Sequence, residues 1–167
     1  MRYVVGIDLG TTNSALGLAP LEGEGDPLSQ IDSPPIDQLV APGELGALPL
    51  LPSSLYLLEG PELPRGSARL PWGEADLPYL VGQAARRQGA AVPGRLVESA
   101  KSWLSHPSVD RQAKILPWGA SEDLIEKVSP VEASARYLAH IRAAWDEAHP
   151  DEPLADQDIL LTVPPPP

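Results

Sequence analysis

The chain has 167 residues, the size of one domain and enough to bury a core without disulfide or metal staples. Its 23 acidic side chains outnumber 12 basic ones, and the formal net charge of −11 has the wrong sign for nucleic acid or anionic lipid. There is no cysteine, which excludes disulfides, thiolate metal sites and cysteine nucleophiles. His106, His140 and His149 lie too far apart in sequence to form a metal motif. Asp8 interrupts the N-terminal apolar stretch before it reaches signal-peptide length, and no uncharged apolar run approaches the roughly 18 residues of a spanning helix. The expected setting is cytoplasmic, with neither nucleic acid nor membrane as partner.

Residues 2–7 are rich in β-branched and aromatic types and predict a strand. Residues 8–13 predict a tight turn and Ser14–Ala19 a second strand folding back on the first. Proline, 21 of 167 residues against a usual share of about 5%, recurs from Pro20 to Pro78. Only loops, edges and short strands are expected there, Ser53–Leu58 being the best strand. Gly82–Gln88 predicts a short helix ended by Gly89, and Arg95–Ser105 a second. Ser129-Pro130-Val131-Glu132 reads as a capping box opening a long helix whose apolar face is Val131, Ala135, Leu138, Ile141 and Trp145, with Pro150 beyond its end. Asp158–Val163 predicts an apolar strand in a buried central position. The order predicts a mixed α/β domain, its last strand beside the first hairpin and the long helix across that sheet.

The run that carries chemistry is Gly6-Ile7-Asp8-Leu9-Gly10-Thr11-Thr12-Asn13-Ser14. An acid at a strand end is followed by a glycine and small hydrogen-bonding side chains. Gly10 permits positive φ and close approach of backbone to a ligand. Successive N–H groups with Thr11, Thr12 and Asn13 can form an anion-binding nest, and Asp8 is a hard oxygen ligand for Mg²⁺. The run is neither a Walker A loop nor a dinucleotide fingerprint, and taken alone it equally fits a plain hairpin turn.

That run resembles the first phosphate motif of the actin-like ATPase superfamily, in the version of the heat-shock-70 (DnaK-type) chaperones. Four further segments resemble the family in the same order: Pro52-Ser53-Ser54-Leu55-Tyr56, the stretch from Leu80 to Gln88, Ser99-Ala100-Lys101-Ser102-Trp103-Leu104, and Leu161-Thr162-Val163-Pro164. The resemblance implies lobe I of an actin-like (ribonuclease H-like) ATPase fold. Residues 1–52 and 128–167 would form the core subdomain and 53–127 the peripheral one. It also implies ATP or ADP with Mg²⁺ as cofactors. Gly10, Thr11, Thr12 and Asn13 would cradle phosphates, Asp8 would serve the Mg²⁺ shell through water, and Lys101 would be catalytic, orienting the attacking water. Client polypeptides and co-chaperones are the implied partners.

Departures accompany the likeness. Ser102 stands where the family has arginine, residues 20–50 are a longer, acidic, proline-laden insertion, and residues 109–127 carry no motif with a role. The second phosphate loop, adenosine pocket and peptide-binding domain have no counterpart in these 167 residues. The expectation is a truncated or split product, completed by another chain or working alone as a weak ATP binder without turnover. The alternative is a non-catalytic module that binds a co-chaperone or exchange factor. The Lys101 helix and the Thr162 strand favour the chaperone over a filament-forming actin homologue, and no sugar-binding motif supports a sugar kinase.

Overall fold

The computed structural model describes residues 2–123 and 125–162. The N-terminal β-branched run forms β1 (Tyr3–Leu9), which turns back through residues 10–12 as β2 (Asn13–Pro20), in register from Leu9 opposite Ser14 to Tyr3 opposite Pro20. Strand alternation turns Val5, Ile7 and Leu9 into the core and leaves Asp8 exposed on the other face. The proline-rich stretch contributes a separate hairpin, β3 (Ile36–Ala41) and β4 (Glu44–Leu48), around Pro42-Gly43 with Gly43 at φ 74°. It also contributes β5 (Leu51–Pro52), paired with β2, and the short buried β6 (Ser54–Leu57). Next come β7 (Tyr79–Val81), α1 (Gln83–Ala91), β8 (Leu96–Glu98), α2 (Ala100–Leu104), α3 (Pro130–Ala148) and β9 (Asp158–Thr162).

The result is a mixed α/β chain with three sheets among the described residues. The first has the order β5-β2-β1-β9, with β9 parallel to β1, and a second small sheet runs β7-β6-β8. The main core draws Val5, Ile7, Leu16 and Leu51 from the first sheet, Leu55 and Val97 from the second, and Tyr137, Ile141 and Trp145 from α3. The last strand therefore pairs beside the hairpin and the long helix crosses that sheet, as the sequence predicts. Among the described residues no helix is long and apolar enough to cross a membrane.

Four expectations need correction. The helix expected over Arg95–Ser105 is cut in two. Residues 96–98 pair with β6, so Val97 belongs to a sheet, and Ser99 takes a left-handed φ of 55° before the five-residue α2. Gly89 does not end α1, which runs on to Ala91; a Cβ there would lie 2.5 Å from Leu96, so the glycine serves close packing of helix on strand.

The buried face of α3 is Ala133, Ser134, Tyr137, His140, Ile141, Ala144 and Trp145, while Val131 is exposed and so is Ala135. The polar members can be buried because they are bonded: Ser134 Oγ donates to the Pro130 carbonyl at 2.8 Å and His140 Nε2 lies 2.8 Å from the Asp37 carbonyl. Finally, β9 is not central. It is an edge strand, exposed throughout its described length, with Leu160 at 65% exposure. Val163 and the Pro164–Pro167 run lie outside the described residues.

The helix cap does form. Ser129 Oγ accepts from the Glu132 N–H at 3.0 Å with Pro130 at the first helical position, but the Glu132 carboxylate turns to Arg136 at 3.0 Å instead of reaching back to the cap. Half of the capping box is present. Ser129→Ala is therefore expected to cost about 1 kcal/mol in urea unfolding, and Glu132→Ala about 0.5 kcal/mol or less. Equal losses from the two would show that the cap is not the main contribution.

Candidate functional site

Asp8 closes the outward face of β1, and the loop after it is held from three sides by residues distant in sequence. Thr162 of β9 takes the Leu9 N–H on its Oγ1 at 3.2 Å and donates its own proton to Asp8 Oδ1 at 2.7 Å. That leaves Oδ2 of an exposed carboxylate without a partner among the described residues. Ser53, buried between β5 and β6, donates from Oγ to the Gly10 carbonyl at 2.8 Å and from its backbone to the Thr12 carbonyl at 2.9 Å. Its Oγ also lies 2.9 Å from that of Ser14. Arg86 of α1 donates to the Thr12 carbonyl at 3.0 Å and to Asn13 Oδ1 at 3.4 Å.

The contacts from Ser53 and Arg86 engage the loop's acceptors. Among the described residues no group accepts from the N–H of Gly10, Thr11 or Thr12, and Thr11 and Thr12 are exposed. A turn whose carbonyls are held while its amides have no partner keeps those donors available to an anion. Gly10 plays a different part from the one expected. Its φ is not left-handed, and a Cβ on it would meet the Asn13 carbonyl oxygen at 2.0 Å. The close approach that requires glycine is the loop's approach to itself.

The structure therefore brings Asp8, Gly10, Thr11, Thr12 and Asn13 together at one end of the hairpin. Lys101 is different. It sits half-buried on α2, and among the described residues its ammonium makes no hydrogen bond or ion pair. The cation that touches the loop is Arg86. Ser53, Arg86 and Thr162 each lie within segments that carry the family resemblance, yet their roles depend on contacts spanning 43, 74 and 154 positions. No spacing rule reaches that far. Among the described residues no group of three or more His, Asp or Glu side chains forms a metal-binding cluster. Neither a scan against protein-family models nor a search of curated proteins gives a match for this chain.

Proposed function

We propose that this chain is the ATP-binding first lobe of an actin-like ATPase of heat-shock-70 type. Its core would be built from residues 1–52 and 128–167 and its peripheral part from 53–127, and its ultimate task would be ATP-dependent protein folding. The observation that carries the reading is the loop itself: Ser53 and Arg86 occupy the carbonyls of residues 10 and 12, the amides of residues 10–12 have no partner among the described residues, and an exposed carboxylate stands beside them.

The residues present fit a magnesium nucleotide. Mg²⁺ commonly keeps most of its waters and takes one or two carboxylates plus substrate phosphates, so the single exposed Asp8 suffices without a closed protein cage. Bound there, Mg²⁺ would neutralise charge on the phosphates. Gly10, Thr11 and Thr12 would donate N–H bonds to phosphate oxygens, and Asn13 would add its side chain. Thr162 holds one Asp8 oxygen, orienting the other. Arg86 fixes the loop and places positive charge at its flank. Lys101 is assigned the water-orienting role on resemblance alone. Contacts open to solvent each net only about 0.5–1.5 kcal/mol, so binding by this lobe is weak.

Calorimetry of Mg-ATP on the folded chain tests this. Binding is expected, reduced about tenfold or more by Asp8→Ala and nearly unchanged by Lys101→Ala. A folded sample that binds nothing at millimolar nucleotide would overturn the reading.

A second reading, a non-catalytic module for a co-chaperone or exchange factor, is favoured by β9. No strand pairs with its outer edge among the described residues, and Ile159, Leu160 and Leu161 are exposed along it. Unpaired apolar edges invite strand addition. Nucleotide affinity separates the two readings.

A further inference from the structure

A cavity of about 170 Å³ lies away from the loop, where α3 meets β3, β7 and the segment from Ala68 to Leu77. Its wall is apolar and aromatic, with Leu39, Leu70, Trp72, Leu77 and Tyr79 prominent, and His140 of α3 is part of it. His140 is 5% exposed. Its Nε2 lies 2.8 Å from the Asp37 carbonyl, which can only accept, so Nε2 carries the proton. Burial pushes its pKa down, and the ring is neutral near pH 7.

Nδ1 is then an acceptor, and it has no hydrogen-bond partner among the described residues. Nor is it among the sealed polar atoms without partners, which are Ser54 Oγ and Tyr137 Oη. It therefore keeps some solvent contact, and the ring that carries it lines this cavity. The charged wall residue, Arg136, is already engaged, with its guanidinium 4.2 Å from the Tyr79 ring centroid and paired with Glu132.

An apolar cavity of about 150 Å³ stays dry and accepts a benzene-sized molecule. The present one is slightly larger and adds a single acceptor, with the Trp72 ring edge-on to the imidazole at 5.2 Å. We propose that this cavity is a binding site for a small monocyclic aromatic molecule bearing one hydroxyl or N–H donor, the ring among Leu70, Trp72 and Tyr79 and the donor on His140 Nδ1. The site is separate from the phosphate loop and does not depend on the nucleotide reading.

The test is titration of the full chain with phenol and with benzene, followed by two-dimensional ¹H–¹⁵N NMR at the Trp72 indole and the Ala68 and Ala139 amides. Both probes are expected to bind, with phenol about two- to tenfold tighter, the worth of one neutral hydrogen bond. Without an acceptor, burying the hydroxyl would instead favour benzene. Ala68→Met, which puts a flexible side chain into the cavity, is expected to abolish both titrations. Equal or reversed affinities overturn the proposal. So does the absence of saturable shifts at about ten millimolar probe, or binding that persists in folded Ala68→Met. Should that variant not fold, the phenol-to-benzene ratio in the unaltered chain decides alone.

Discussion

Trp145→Ala is expected to lose about 3–5 kcal/mol of unfolding free energy, the largest effect of any single truncation here. The indole is 2% exposed at the C-terminal end of α3. It is held by more than burial. Nε1 donates to the Glu152 carbonyl at 2.9 Å, the Tyr3 ring meets it edge-on at 5.9 Å, and the His149 imidazole stacks on it at 4.0 Å. Truncation removes the ring, opens a cavity and leaves the Glu152 carbonyl without its donor. A domain has only about 5–15 kcal/mol in total, so the variant stands near the limit of folding. Trp145→Phe keeps most of the ring and loses mainly the hydrogen bond, for about 1 kcal/mol. Urea unfolding of both variants reads the two contributions. A Trp145→Ala midpoint close to wild type would mean that α3 is not fixed to the first strand through this residue.

Gly10→Ala is expected to remove Mg-ATP binding and to destabilise the chain by about 1–3 kcal/mol. The added methyl would fall 2.0 Å from the Asn13 carbonyl oxygen and 3.2 Å from its carbonyl carbon. Both are backbone atoms, so no side-chain rotation relieves the clash. The loop cannot simply open, because Ser53 holds the carbonyls of residues 10 and 12 and Arg86 holds the second of these from the other side. Either those bonds break or the backbone of the turn shifts, and both outcomes disturb the unpartnered amides that would meet an anion. Thr11→Ala, an exposed side chain in the same turn, is the control and should change stability by less than about 0.5 kcal/mol. Retention of wild-type nucleotide affinity by Gly10→Ala would separate the loop geometry from binding.

What could be read from the sequence is what depends on neighbours. The first hairpin follows from a β-branched run, a Gly-Thr-Thr-Asn turn and a second short apolar run. The start of α3 follows from Ser129 and Pro130. The sequence pattern misleads wherever a distant segment decides. Leu96–Glu98 has helical spacing, but β6 takes it as a strand partner. Tyr137 and His140 do not count as apolar in a periodicity argument, yet the helix buries both. The hairpin at Ile36–Leu48 had a usable signal in Pro42-Gly43, the pair a type II turn prefers, that was submerged in the surrounding prolines. At the candidate site, the acid and the loop are local and were legible, whereas Ser53, Arg86 and Thr162 gain their meaning only from the fold.

The parallel pairing of β1 with β9 sets an order on assembly. A ribosome adds about 5–20 residues per second, and Thr162 follows Asp8 by 154 positions. The first strand therefore waits roughly 8–30 s for the neighbour that covers its edge. Throughout that interval the nascent hairpin carries Val5 and Ile7 on one face and an unpaired backbone on its flank. Local helices can form meanwhile, but the carboxylate's own anchor is synthesised only 154 positions later. Acquisition of the site is thereby tied to the synthesis of β9, and the newborn chain passes through a long period in which the apolar face of its first strand needs protection.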